Sequence, residues 1–364
     1  MTTYAQVSAL QLQYLCSALG LSARVREYLT VQAALMEPWG SRPLPALAPY
    51  PSQIGDDHSP YEYSVQFSRQ AVELRLLVEA QATVPNLRNN QLAAQALSAR
   101  LRSKFGVDAT RLGPVEELFL PQDPHGPFSL WHAACFDSAG QPAFKVYLNP
   151  RVNGAGTASG VFSEAAGRLG LSRAALPVIE HVERLGGVPN YFSLDLSERL
   201  GARAKLYFSH MDATHAELEA VFALAPSNIA GDVTAFCRAI VGEAARLTKK
   251  PVCYCFSFVD GIDHAVSVTF HLPVAHYLES DALILHHVST FMSQHGLQVA
   301  QYQRAVTALA RRALGMSVGL QSYASFRRER SGLKLTVYFS PELFSAPYAH
   351  YPFAFEGANL GSTE

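Results

Sequence analysis

Residues 190–198, NYFSLDLSE, and 202–210, ARAKLYFSH, each alternate two kinds of side chain, and a short glycine-containing stretch separates them. Alternation with a period of two marks a strand, and two such runs flanking a short turn mark a β-hairpin. Sorting the second run by parity puts Arg203, Lys205 and Tyr207 on one face and Ala204, Leu206 and Phe208 on the other. The same pattern recurs at YEYSVQFS and ELRLLVEAQ (61–68, 73–81), SLWHAACFDSAG and AFKVYLNP (129–140, 143–150), KPVCYCFSFVDG and AVSVTFHLP (250–261, 265–273), and LQSYASFRRER and LKLTVYFSP (320–330, 333–341).

Anchored on Arg75, Tyr147, Tyr207, His271 and Tyr338, the hairpins recur at intervals of 72, 60, 64 and 67 residues. So regular a spacing marks a repeating unit. The intervening segments, 91–106, 163–186, 215–225 with 233–250, and 282–315, carry helical periodicity. The fold class expected is therefore α+β, with ten antiparallel strands in five helix–hairpin–helix repeats. Closing ten strands into a barrel with the helices outside removes every exposed edge, whereas an open sheet backed by helices would leave two. Residues 1–364 are expected to form one domain, with 1–50 as an N-terminal helical cap and about 355–364 as a flexible tail.

In such a barrel the apolar face meets the helices, and the polar face lines the lumen. That face would carry Lys145, Tyr147 and Asn149 from one strand, Arg203, Lys205 and Tyr207 from another, then Ser267, Thr269 and His271, and finally Thr336 and Tyr338. Together Arg75, Lys145, Arg203 and Lys205 suffice to neutralise a diphosphate, about three negative charges near neutral pH, without a metal ion. The tyrosines offer π faces to a carbocation, each contributing about 0.5–2 kcal/mol. A closed lumen would also keep water from quenching an allylic cation.

Composition narrows the partners. Twenty-nine basic and thirty acidic residues nearly cancel, which argues against nucleic acid or an anionic membrane as a partner. The opening MTTYAQVSALQLQYLCSALG lacks the basic region and apolar run of a secretion signal, and a cytoplasmic location is expected. The five cysteines, Cys16, Cys135, Cys237, Cys253 and Cys255, read as buried free thiols. Asp56, Asp57 and Glu62 in DDHSPYE resemble a magnesium motif, but a proline and a strand pattern follow the aspartates, so they read as a solvated loop. GAGTASG (154–160) departs from G-x-G-x-x-G and reads as a flexible connection. HMDATH (210–215) spaces its histidines too widely for a helical zinc pair and reads as exposed residues at a helix start.

At these residues the chain resembles the dimethylallyltryptophan synthase family of indole prenyltransferases, whose ABBA fold is a ten-stranded antiparallel barrel inside a ring of helices. The resemblance runs from about Asp56 to Pro341. It rests on SPYEYS, ELRLLVE, FKVYLNP and RAKLYF, and continues in frame through TFHLPVAHY and LTVYFSP. It implies Glu62 as the indole-binding glutamate, and Arg75, Lys145, Arg203, Lys205, Thr269, His271 and Tyr338 as diphosphate ligands. Tyr147, Tyr207, His271 and Tyr338 would shield the cation. His132 falls near the position of a base. Thr269, His271, Thr336 and Asn149 depart from the residues usual in fungal members, which points to the bacterial branch.

The implied reaction ionises dimethylallyl diphosphate and alkylates the indole of tryptophan or a derivative at carbon or nitrogen, with no cofactor and no metal. The partners expected are the two small molecules, on a monomer or homodimer. A cyclic dipeptide or phenolic acceptor, or a non-enzymatic prenyl diphosphate binder, remains the alternative.

Overall fold

The structure is a computed structural model that describes residues 1–137, 140–199, 201–243, 246–329 and 331–344. The tail expected at 355–364 lies outside the described residues. Ten strands form a closed barrel: β1 (Tyr61–Phe67), β2 (Val72–Val78), β3 (Leu130–Phe136), β4 (Ala143–Leu148), β5 (Val188–Asp195), β6 (Arg203–His210), β9 (Val252–Val259), β10 (Ser267–Leu272), β11 (Gln321–Glu329) and β12 (Gly332–Phe339). The two-residue strands β7 (Ala213–Thr214) and β8 (Arg246–Leu247) pair apart from it.

Every barrel neighbour is antiparallel, and the five hairpins are those read from the sequence. The ring closes where β1 meets β12, with Ser64 opposite Tyr338 and Val65 opposite Val337. The barrel thus has no free edge.

Eleven α-helices are found among the described residues. They are α1 (Tyr4–Leu19), α2 (Val25–Leu35), α3 (Leu87–Phe105), α4 (Glu116–Phe119), α5 (Ala158–Arg168), α6 (Ser172–Arg184), α7 (His215–Phe222), α8 (Asp232–Val241), α9 (Val274–Tyr277), α10 (Asp281–Gln294) and α11 (Val299–Leu309). The segment 163–186 is two helices rather than one, because Gly170 takes a positive φ of 70° between α5 and α6. GAGTASG is likewise not a loose connection: a 3-10 turn over Ala155–Thr157 leads into α5.

Alternation does the packing work. Phe144, Val146, Leu148, Leu206 and Phe208 are buried beneath the helices, each such side chain contributing about 1.5–3 kcal/mol. Phe162 of α5 meets Phe208 edge-on at 5.5 Å, and Phe236 of α8 lies 4.8 Å from Phe326 of β11. Such pairs fix where each helix sits on the barrel.

Gly187, where α6 turns into β5, has Tyr254 Oη and Val182 Cγ1 against the position a Cβ would take. Gly187→Ala is therefore expected to destabilise the fold by about 1–3 kcal/mol through overpacking. Chemical denaturation with catalytic constants measured on the folded fraction checks this; an unchanged midpoint would refute it.

Candidate active site

Because β4, β5, β6 and β9 run in register, their inward residues form layers. Lys145 lies opposite Asp195, and Ser193 opposite Lys205, which in turn faces Ser257. Arg75, Lys145, Lys205 and Arg327 line one internal cavity together with Gln66, Thr269, Ser325 and four rings. Gln66 Oε1 accepts from both guanidinium groups, at 2.8 Å from Arg75 and 2.9 Å from Arg327. One amide oxygen therefore tethers two cations that otherwise repel.

Buried positive charge needs a counter-charge. Arg75 pairs with Glu73, and Arg327 Nε lies 2.8 Å from Glu329. Asp195 stands 3.6 Å from Lys145 Nζ and 2.9 Å from Arg203 Nε. Burial would raise the pKa values of Glu73 and Asp195, but the cations outweigh it: Arg75 and Lys145 bring Glu73 down to about 2, and Lys145 and Arg203 hold Asp195 well below the usual carboxylate range. Lys205 differs. It is 8% exposed, and no carboxylate of the described residues pairs with it. Burial, then repulsion from Arg203, Lys145 and Arg327, pushes its ammonium well below the usual lysine range. The hydroxyls of Ser257 and Thr269 nearby are buried without a hydrogen-bond partner. Such a cluster of cations and hydroxyls has the chemistry to hold an anion.

Next to the cations stands an arc of rings. Tyr147 to Tyr207, Tyr207 to His271, and His271 to Tyr338 are spaced 5.9, 5.8 and 5.8 Å between centroids. His271 Nδ1 sits 3.2 Å from Tyr338 Oη. Burial, reinforced by Lys205, Arg75 and Arg327, lowers its pKa to about 3, so its ring is neutral at ordinary pH. All four rings can therefore face a carbocation without repelling it.

Beyond the arc lies Glu62. It is buried, with Ser322 Oγ at 3.4 Å and no ion-pair partner among the described residues. Burial raises its pKa to about 8, with Asp56 adding to the rise and Ser322 and Lys250 opposing it. Asp56 itself pairs with Lys250 at 2.7 Å. Asp57 is not merely solvated, since its carboxylate accepts from Ser59 and from Phe344 N.

Several sequence expectations need correction or refinement. His132 does not face the lumen. It pairs with Val146 and Val78, both outward, and its Nε2 lies 2.8 Å from Ser98 Oγ on α3. Trp131 and Ala133 take the inward positions on that strand, which removes His132 as a base. Arg203 is inward by parity but stands at the barrel mouth, bound to Asp195 and part-exposed. Thr336 lines the cavity, whereas Asn149 is committed to the backbone of Phe128 and Arg151. His210, read as exposed, is buried beside Tyr254. Cys255 and Cys135 are buried free thiols as expected, although Cys253 is only half-buried.

Sequence reading missed Arg327, Gln66, Glu73 and Asp195. Of the consecutive arginines in FRRER, only the register shows that Arg327 points inward while Arg328 turns out to pair with Asp232 of α8.

A closed antiparallel barrel wrapped by helices, with cations and tyrosines converging inside it, defines the prenyltransferase barrel class of enzyme. Residues 29–305 match the family model of tryptophan dimethylallyltransferase, and the chain belongs to that family. It is similar over 94% of its length, at 29% identity and a TM-score of 0.89, to 6-dimethylallyltryptophan synthase from Micromonospora olivasterospora in complex with DMASPP and Trp, and covers 99% of that chain. It also resembles 5-dimethylallyltryptophan synthase from Streptomyces coelicolor, at 30% identity, 94% and 99% coverage and a TM-score of 0.87. AnaPT from Neosartorya fischeri, at 18% identity, 91% coverage of each chain and a TM-score of 0.73, shares the fold. The protein is an aromatic prenyltransferase.

Since His132 packs outward, His132→Gln is expected to leave turnover per folded molecule within about threefold of wild type while lowering stability by about 1–3 kcal/mol through the disturbed buried pairing with Ser98. Steady-state rates beside a denaturation curve check this. A hundredfold fall in kcat at unchanged stability would restore His132 as the base.

Proposed function

We propose that the protein transfers a dimethylallyl group from dimethylallyl diphosphate to the indole ring of tryptophan or a close derivative, with Glu62 anchoring the acceptor. The observation that carries this reading is the polarity of one lumen: clustered cations at one end, Glu62 without an ion-pair partner at the other, and an arc of neutral rings between them. The relatives named above, one of them bound to DMASPP and Trp, support it.

In this reading Arg75, Lys145, Lys205 and Arg327, with Thr269, hold the diphosphate, and Arg203 guides it in at the mouth. The C1–O bond breaks with its electron pair leaving on the diphosphate, whose growing charge the cations stabilise more than they stabilise the bound donor. Tyr147, Tyr207, His271 and Tyr338 shield the allylic cation. The indole attacks that cation, and where carbon is the attacking atom its ring proton passes to the released diphosphate. Glu62 accepts the indole N–H and so raises the nucleophilicity of the ring. Where nitrogen is the attacking atom, Glu62 also takes the proton. Side-chain cations supply the neutralisation, so the reaction needs no metal. The protein acts in the cytoplasm.

Incubation with L-tryptophan and dimethylallyl diphosphate, followed by mass spectrometry for a prenylated product and by diphosphate release, tests the activity; release without a prenylated product would refute it. Turnover is expected to survive excess chelator, and a complete loss that magnesium restores would overturn the charge-neutralisation argument.

Glu62→Gln keeps an acceptor oxygen but loses the charge, and is expected to slow transfer about 10²-fold while leaving donor affinity intact. Because burial raises the pKa of Glu62 in the folded protein to about 8, the carboxylate form grows as pH rises toward that value. The acceptor kcat/KM should therefore climb from pH 6 to about 8 in the wild type and stay flat over that range in the variant. Near wild-type transfer with an unchanged pH limb would remove Glu62 from the mechanism.

A further inference from the structure

The acceptor end of the lumen holds a second carboxylate that the mechanism above does not use. Glu62 lies opposite Leu77, and Glu79 follows Leu77 by two residues, its backbone N–H donating to Pro60 O at 2.8 Å. Glu62 and Glu79 are therefore diagonal neighbours on adjacent strands, roughly 7 Å apart. Glu79 is 2% exposed. Ser52, Trp131 and Gln81 surround its carboxyl as hydrogen-bonding groups, but Oε2 and the buried Trp131 Nε1 have no partner of good geometry among the described residues.

The contrast with the donor end is informative. There Glu73, Asp195 and Glu329 each hold a cation. No lysine or arginine of the described residues pairs with Glu79, and burial leaves its pKa raised to about 7. A buried carboxylate is costly unless a cation or further donors accompany it. By register Glu79 and Trp131 lie one layer beyond Glu62, on the side away from the cations, where the C3 substituent of an indole resting its N–H on Glu62 would reach.

We infer that Glu79 receives the α-ammonium group of the acceptor and so selects an amino-acid indole over one without the amine. This rests on the proposed tryptophan acceptor. The ammonium supplies the missing counter-charge, and Glu79 is a specificity-determining residue that takes no part in bond making.

The test compares the full-length wild type and Glu79→Gln on L-tryptophan and on indole-3-propionate, which keeps the ring and the carboxylate but lacks the amine, at saturating donor. The variant should raise KM for L-tryptophan about tenfold or more with kcat little changed, while KM for indole-3-propionate stays within about twofold. Glu79→Asp, which keeps the charge, should show a smaller rise confined to L-tryptophan, and serves alone if the glutamine variant fails to fold. Equal losses on both acceptors, or an unchanged KM for L-tryptophan, would overturn the assignment of Glu79 while leaving the tryptophan reading in place. A wild type that prenylates indole-3-propionate but not L-tryptophan would overturn both.

Discussion

Positive charge buried inside a barrel is the constraint on which the rest of this structure depends. Arg75, Lys145, Lys205 and Arg327 face one small internal space, and removing such groups from water is costly unless compensating charge is built in. Glu73, Asp195, Glu329 and the shared amide oxygen of Gln66 supply most of that compensation. The closed ring supplies the rest of the requirement, since a sheet with free edges could not hold these side chains at fixed distances or keep water away. The aromatic clusters outside, such as Phe236 against Phe326, keep that ring rigid.

The compensation is deliberately incomplete at two places, one at each end. Among the described residues Lys205 pairs with no carboxylate and is surrounded by cations, with the unpaired hydroxyls of Ser257 and Thr269 beside it. Among those residues Glu62 and Glu79 form no ion pair, and burial raises the pKa of both. The lumen is thus polarised along its axis, short of negative charge around Lys205 and of positive charge at the far end. An anionic donor and an N–H-bearing acceptor each relieve one deficit, and the rings of Tyr147, Tyr207, His271 and Tyr338 stand where the two would meet.

Much of this was legible in the chain. The period-two runs and their spacing of about sixty to seventy residues gave the five hairpins, and parity alone put Lys145, Tyr147, Lys205 and Tyr207 on one face. Glu62 and Arg75 lay in the motifs that resemble the indole prenyltransferases. His132 shows the limit: SLWHAACF is apolar on both faces, with a small residue or a ring at every inward position, so alternation could not say which of Trp131 and His132 turned inward. Its register with β4, where His132 meets Val146, decided it.

The sequence by itself determined which residues alternate and how often the hairpin recurs, because both follow from the local geometry of a strand. Only the tertiary structure decided which alternation faced inward in an ambiguous strand, which of Arg327 and Arg328 joined the site, and which carboxylates kept a counter-charge. Those outcomes depend on register between strands and on charges brought together from distant segments, as when Asp195 meets Lys145 or Gln66 bridges Arg75 and Arg327. No local pattern encodes them.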